Sequence, residues 1–334
     1  MFASSSMNSP NDASLYIGLD IGRMIRGAVV RDDSVILNRQ HVVAEVRDPQ
    51  AFIKQLVDMF ALLAAEQGGS ARISSVGIGW PGLVNRRLRR LEVTPNMLDV
   101  SSVDVFAELA RQIPVPIVFE NDANAGAYGE WRAGAAKGFN DVLYIALGTG
   151  IGCGLILGGQ LQRGSLGFGG EFGHFKIDPS GLECGCGSTG CLETMVSGPN
   201  IVRRVREHLF SDPSFSVSQL ARDMEGTLTC ERIKEAARDN DDLAKAVLRE
   251  TGVFVGMAIA SAINLLNVEM VVMGGGVMTA GEVLLEPIRQ ETRLRTIAPA
   301  FDCCRIVAGQ LLQDAGIVGA AMLARDRTLN MHTM

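Results

Sequence analysis

Apolar residues along the chain fall into two kinds of run. Short continuous stretches end on or just before glycine: Leu15–Gly22, Val76–Gly79, Val142–Leu147 and Met270–Met273. Runs of this kind, bounded by turn residues, predict buried strands. Other apolar residues recur at helical spacing. Phe52, Leu56, Val57, Phe60 and Leu63 predict a helix over Pro49–Gln67, and Leu243, Val247, Phe254, Ala258 and Ile263 predict the longest one, over Asp242–Leu266. Further strands are predicted at Arg26–Val30, Val42–Val46, Ile117–Phe119, 152–157 and Arg305–Val307, and further helices at Asp104–Arg111, Asn121–Gly134 and Gly316–Ala324. The first three strands form an antiparallel meander. Strand, glycine turn and helix alternate in both halves, which predicts an α/β protein. No short-period repeat is visible. Pro114 and Pro116 punctuate the middle of the chain, so two lobes are expected. Residues 1–14 read as a disordered leader, 15–118 as an N-terminal lobe and 119–313 as a larger C-terminal lobe.

Composition narrows the partners. Lys and Arg number 31 against 37 Asp and Glu, a net charge of −6, whereas phosphate-backbone binding needs a basic face. Nucleic acid is therefore not expected. There is no uninterrupted apolar run of about 18 residues, so no membrane span is expected. The start lacks the basic-then-apolar order of a signal peptide. Cysteines number seven, an odd count clustered in metal-like spacing, which fits a reducing cytoplasm better than a disulfide framework.

Chemistry concentrates in the middle. His174, Cys184, Cys186 and Cys191 have the residue types and spacing of a closed zinc site, in which thiolates and imidazole bind tetrahedrally. Cys153, Cys230, Cys303 and Cys304 read as small core residues. Glycine-rich turns follow strands at Gly22, at Gly148–Gly152 and at Gly274–Gly276, where backbone N–H groups can approach phosphate oxygens. Asp122 opens a helix after an apolar strand. It is either the helix N-cap or a carboxylate able to take a proton from a hydroxyl. Glu171 and Glu193 flank the cysteine cluster, either as surface charges or as ligands for paired sugar hydroxyls. Arg86, Arg87, Arg89 and Arg90 read as a solvated hairpin tip, and a polyphosphate donor would rest on that run alone.

Taken together, these motifs resemble the ROK family (repressors, open reading frames and sugar kinases). The segment Gly170-Glu171-Phe-Gly-His174 through Cys184-Gly-Cys186-Gly-Ser-Thr-Gly-Cys191-Leu-Glu193 is similar to the family signature. So are Glu120-Asn121-Asp122-Ala-Asn124-Ala, Gly148-Thr149-Gly150-Ile-Gly152, Gly274-Gly275-Gly276-Val, Gly79-Trp-Pro81-Gly82 with Thr94-Pro95-Asn96, and Asp314-Ala-Gly316-Ile-Val-Gly319. The resemblance covers about residues 15 to 326.

The resemblance implies an actin/hexokinase-type fold of two α/β lobes around a ligand cleft, with the last helix, about 314–326, packing back on the N-terminal lobe. It implies Mg-ATP-dependent phosphorylation of a hexose, glucose to glucose 6-phosphate foremost, with N-acetylmannosamine, N-acetylglucosamine and fructose as alternatives. Asp122 takes the role of general base. Gly82, Asn96, Asn121, Glu171, His174 and Glu193 line the sugar. Asp20 lies near Mg²⁺, and Gly22, Gly148, Thr149, Gly150, Gly152, Gly274, Gly275 and Gly276 face ATP. Zinc is structural, and the assembly is a homodimer or homotetramer.

One motif departs from the pattern. Family kinases carry Asp-x-Gly-Gly-Thr, and this chain has Asp20-Ile-Gly22-Arg23-Met24. The threonine hydroxyl is gone, and Arg23 stands where a glycine with positive φ is expected, at a strain of roughly 1 kcal/mol. A sugar-binding regulator that lost phosphate transfer is the rival reading. Family repressors also lose this loop, but they carry an N-terminal helix-turn-helix, for which the segment ahead of Leu15 is too short.

Overall fold

A computed structural model describes residues 13–45, 47–85, 87–88, 90–93, 103–223 and 228–332. In chain order the strands are β1 (Leu15–Ile21), β2 (Met24–Arg31), β3 (Ile36–Val43), β4 (Ile73–Trp80), β5 (Leu83–Asn85), β6 (Arg90–Val93), β7 (Ile117–Asn121), β8 (Val142–Leu147), β9 (Ile151–Leu157), β10 (Gln160–Gln162), β11 (Met270–Gly274) and β12 (Arg305–Ala308). The helices are α1 (Pro49–Ala65), α2 (Val105–Gln112), α3 (Asp122–Ala133), α4 (Glu193–Val196), α5 (Gly198–Ser211), α6 (Cys230–Arg238), α7 (Asp242–Leu266), α8 (Glu282–Arg295), α9 (Ala298–Asp302) and α10 (Ala315–His332).

Contacts divide the chain into two units. The first runs to Ala133 and regains Gly164–Phe168 and everything from Asp314; the second holds Gly134–Arg163 and Gly169–Gln313. The division expected at residue 118 instead falls inside β7. That strand pairs in parallel with β4, and α3 packs against α10, so both stay with the first unit.

The first unit is built on a five-stranded sheet of order β3-β2-β1-β4-β7, in which β1 to β3 are antiparallel and β4 and β7 run parallel to β1. Every residue of β1 is buried, as its unbroken apolar run requires for a strand covered on both faces. The third strand lies at Ile36–Val43, not at Val42–Val46. It is an edge strand with half-buried and exposed residues in alternation, and its polar Asn38, Arg39 and Gln40 carry no apolar signal. Helix α1 starts where Asp48 accepts the Gln50 amide and Pro49 takes the first turn, an N-terminus favoured on both counts. Its buried Phe52, Leu56 and Leu63 share a core with Ile17, Leu19 and Trp80. Helix α10 lies against β1, β4 and α3. The approach is so close that a Cβ on Gly77 would stand 1.8 Å from the Ala320 carbonyl oxygen.

The second unit repeats that arrangement in the order β10-β9-β8-β11-β12, with β8 to β10 antiparallel and β11 and β12 parallel to β8. Helices α7 and α8 pack together beside it. By length and composition α7 could cross a membrane, but 61% of its apolar window is buried within the protein. Val247, Val255, Ile259 and Ile263 enter the core around Ile145, Leu147 and Val271. The helix stops at Asn267, which adopts the left-handed conformation at φ 49°, a common C-terminal stop.

Candidate active site

In the first unit the candidate residues gather at the C-terminal ends of the parallel strands, the usual ligand side of an open α/β sheet. Asp20 is opposite Arg26 in the β1–β2 register and accepts its Nη2 at 2.5 Å. Burial raises the Asp20 carboxyl above its ordinary value, and the Arg26 charge opposes that rise. The turn Gly22-Arg23-Met24 closes with the Gly22 amide donating to the Met24 carbonyl at 3.1 Å. Arg23 is exposed and is not among the residues with positive φ, so the strain expected there is absent.

The β7–α3 junction shows which residue caps α3. Asn121 Oδ1 accepts the Asn124 amide at 3.0 Å, the bond made by a helix N-cap. Capping therefore belongs to Asn121, and Asp122 is the first residue of α3. Its Oδ1 takes the Ala123 amide at 2.8 Å, at the helix end that favours negative charge. Asn121 also donates to the Gly82 carbonyl at 3.0 Å, which ties β7 to the turn after β4. Asn96, with Thr94 and Pro95, lies outside the described residues, as do Arg86 and Arg89. Arg87 is exposed at the β5–β6 hairpin, and Arg90 pairs with Glu92.

In the second unit the turn Gly148-Thr149-Gly150 joins β8 to β9, and the Gly148 amide donates to the Gly150 carbonyl at 2.9 Å. Gly152 lies beyond the turn, paired with Ala146 in the hairpin. Gly274 ends β11 against the Tyr144 ring, and Gly275 has φ +84° with Leu147 backbone atoms filling the place of a Cβ. Gly276 opens a short turn to Ala280. Lys234 of α6 fixes that turn from the side, donating to the Gly276 carbonyl at 2.8 Å and to Thr279 Oγ1 at 2.7 Å.

The metal candidates converge. The ligand atoms of His174, Cys184, Cys186 and Cys191 all lie within 4.8 Å of one another. Cys184 Sγ is 3.6 Å from His174 Nδ1, and the Cys186 and Cys191 sulfurs are 3.7 Å apart. Zn–S bonds of about 2.3 Å and Zn–N bonds of about 2.1 Å at tetrahedral angles need separations of about 3.5–3.8 Å, so the donor set fits zinc. Lys176 Nζ donates to Cys191 Sγ at 2.7 Å. Burial pushes the Cys184 thiol up to about 11. Of the remaining cysteines, Cys153 and Cys304 are buried, Cys230 is half-buried, and Cys303 is exposed instead of filling the core.

Glu171 and His174 bracket the short turn Phe172–His174, with His174 Nε2 3.7 Å from Glu171 Oε2. The ring thus turns one nitrogen to the sulfurs and the other to a carboxylate. Burial raises the Glu171 carboxyl, with His174 opposing and Glu193 adding repulsion. Glu193 accepts the Ile151 amide at 2.8 Å. Sequence reasoning missed Arg26, Lys176 and Lys234. Counting the β1–β2 hairpin outward from its turn would have set Arg26 against Asp20, whereas Lys176 and Lys234 carry no signal in the sequence.

A glucokinase of Streptomyces coelicolor is 35% identical over 322 residues, spanning 93% of this chain and 98% of that protein. The crystal structure of a ROK family glucokinase from Streptomyces griseus in complex with glucose and AMPPNP superposes with a TM-score of 0.83 at 35% identity, over 93% of this chain and 99% of that one. A xylose repressor of Bacillus subtilis is 28% identical, over 96% of this chain and 80% of the repressor. The architecture is the actin/hexokinase-type α/β fold of the ROK sugar kinases. With the ROK family model matching residues 16–327, the chain belongs to the ROK family.

Proposed function

We propose that this protein is an ATP-dependent hexokinase, with glucose as its substrate and glucose 6-phosphate as its product. The observation that carries the reading is the division of labour at the start of α3. Asn121 performs the capping, and Asp122 next to it places its carboxylate in the first turn of α3 with Oδ1 on the Ala123 amide, a fixed position suited to taking a proton from a hydroxyl. The similarity to glucokinases over nearly the whole chain supports the same reading.

In this mechanism Asp122 accepts the proton of the sugar hydroxyl as that oxygen bonds to the γ-phosphorus and the bond to the ADP oxygen breaks. Asn121, Glu171, His174 and Glu193, with Asn96 and Gly82, orient the hydroxyls. Amides of the turns at Gly22 and Gly148–Gly150 meet the phosphates, and the Gly274–Gly276 turn meets the adenosine. Mg²⁺ supplies charge neutralisation on the phosphates when bound. Here one Asp20 oxygen is already taken by Arg26, so no step is assigned to Asp20 and the metal. Zinc, when bound by His174, Cys184, Cys186 and Cys191, would be structural and would hold the His174 ring in place. The free cysteines suit a reducing cytoplasm. A homodimer or homotetramer follows from the family resemblance, and light scattering in solution tests it.

The test is ADP release with glucose, mannose, fructose, N-acetylmannosamine and N-acetylglucosamine. Turnover highest with glucose supports the reading, and turnover highest with another sugar reassigns the substrate. A sugar-responsive regulator is the second reading, favoured by Arg23-Met24 and by the repressor similarity. Glucose binding without ADP release from any sugar would establish it instead.

A further inference from the structure

Glu193 faces two ways. As the first residue of α4 it follows directly on the buried Cys191 and Leu192. It is thus fixed to the segment that carries the metal ligands. Its Oε2 accepts the amide of Ile151, the residue that closes the Gly148-Thr149-Gly150 turn. The same oxygen stands 2.7 Å from the position of a Cβ on Gly150, and 3.6 Å from that of a Cβ on Gly173, inside the Glu171–His174 turn. The other end of the phosphate turn is held by the same stretch of chain, since the Gly198 amide opening α5 donates to the Gly148 carbonyl at 2.8 Å. The segment from Cys191 to Gly198 is therefore the bed on which the turn rests. Glu193 is its charged contact with that turn.

We propose that Glu193 is a positioning residue that couples the sugar and nucleotide sides of the second unit. The proposal rests on the kinase reading, in which Glu193 meets a sugar hydroxyl and the turn meets phosphates. A sugar that orders the Glu193 carboxylate also fixes the Ile151 amide and the space over Gly150. A nucleotide that orders the turn fixes the carboxylate in return. Such coupling is reciprocal by thermodynamic necessity. It also accounts for glycine at position 150. Gly150 has no positive φ, so a side chain there meets no backbone strain but would have to displace the Glu193 carboxylate above it.

The test perturbs the contact from each side and reads the opposite ligand. Gly150→Ala drives a methyl group against Glu193 Oε2, and glucose binding measured calorimetrically without nucleotide should weaken about tenfold, within the usual range of coupling between sites. Glu193→Ala removes the acceptor of the Ile151 amide, and AMPPNP binding measured without sugar should weaken by about the same factor. Glu193→Gln restores an acceptor and should bring AMPPNP affinity back to within about threefold of wild type. A role in stability alone would not produce this crossing, and zinc content and melting temperature of each variant register it separately. If the wild type binds both ligands and neither crossed effect appears, the coupling is wrong and the kinase reading stands. If the wild type binds glucose but neither binds AMPPNP nor releases ADP, the kinase reading falls and the proposal falls with it. If Gly150→Ala does not fold, the Glu193→Ala and Glu193→Gln pair decides alone.

Discussion

The turns after β1 and β8 have the same form and opposite contents. Each joins two antiparallel strands, and in each the amide of a leading glycine donates to the carbonyl two residues on, Gly22 to Met24 and Gly148 to Gly150. The pair of residues one step behind the turn differs. In the first unit it is Asp20 with Arg26, joined by an ion pair. In the second it is Ala146 with Gly152. The first turn sits on that ion pair, and its Arg23 carbonyl accepts the Ala44 amide at 3.1 Å. The second has no side chain beyond that of Thr149 and is held from outside, by Glu193 and Gly198. The second turn is therefore braced by a carboxylate and a backbone amide from the α4–α5 segment, while the first rests beside a charged pair that answers to whatever charge approaches. The fifth strands differ too. β7 leads into Asn121 and Asp122, and β12 into Gly309, whose amide donates to the Met273 carbonyl. On the proposed reading the first unit carries the candidate base Asp122, and the second carries the candidate metal cluster His174, Cys184, Cys186 and Cys191 with a turn braced by Glu193.

The largest test of that division is Asp122→Asn. It keeps the shape and loses the base, so kcat should fall by roughly 10²-fold or more, while glucose affinity changes little. A kcat within a few-fold of wild type would remove the base from the first unit. Next comes Cys184→Ala in the second unit. It should abolish the one zinc per chain expected on elemental analysis and weaken glucose binding by about 10–100-fold, because His174 shares the frame. Metal-free protein with normal glucose affinity would separate the metal from the sugar. Smaller again is Arg26→Val, which strands the buried Asp20 carboxyl. Burial already holds that carboxyl above its ordinary value, and without Arg26 it rises further. A carboxyl raised in the folded state destabilises it once ionised, so the loss of stability should be full near neutral pH and shrink as pH falls toward the unfolded value. Urea unfolding at neutral and mildly acidic pH checks this; a loss that grows toward acid would refute it.

Much of this was legible in the sequence, and what was not has physical causes. Continuous apolar runs located β1, β4, β8 and β11, because strands covered on both faces have no polar side to show. Edge strand β3 escaped because Asn38, Arg39 and Gln40 face solvent or the strand's margin. The shared topology of the two units left no repeat in the sequence, since a sheet order can persist while residues such as Asp20 and Ala146 at equivalent places differ. Cysteine spacing pointed to the candidate metal cluster that the fold brings together, because its residues are close along the chain. Long-range contacts were invisible: Lys234 reaches the Gly276–Ala280 turn, and Glu193 reaches Ile151, across separations that no local pattern encodes. The capping role of Asn121 was one residue away from the position considered, and only geometry could decide it.

The smallest expected effect makes the first turn resemble the second. Arg23→Gly with Met24→Thr restores a bare turn and a hydroxyl in place of an exposed guanidinium and a thioether. Arg23 carries no left-handed strain, so the change relieves none. Stability should drop slightly, by about 0.5–1 kcal/mol, through the greater freedom of glycine in the unfolded chain. The effect on nucleotide has two signs. If the native turn is merely poor at phosphate binding, KM for ATP should fall about two- to fivefold while KM for glucose stays put, the worth of one added hydroxyl hydrogen bond. If Arg23 has become a phosphate ligand, KM for ATP should rise instead, since a charge-assisted contact outweighs a hydroxyl. The ion pair beneath the turn favours the first sign. Arg26 already places a guanidinium on Asp20, so a cation stands at this position without Arg23, and what the turn lacks is the hydroxyl. A rise in KM would show that both arginines serve phosphate. No change in either direction would take the first turn out of the nucleotide site and leave the second turn to hold phosphate alone.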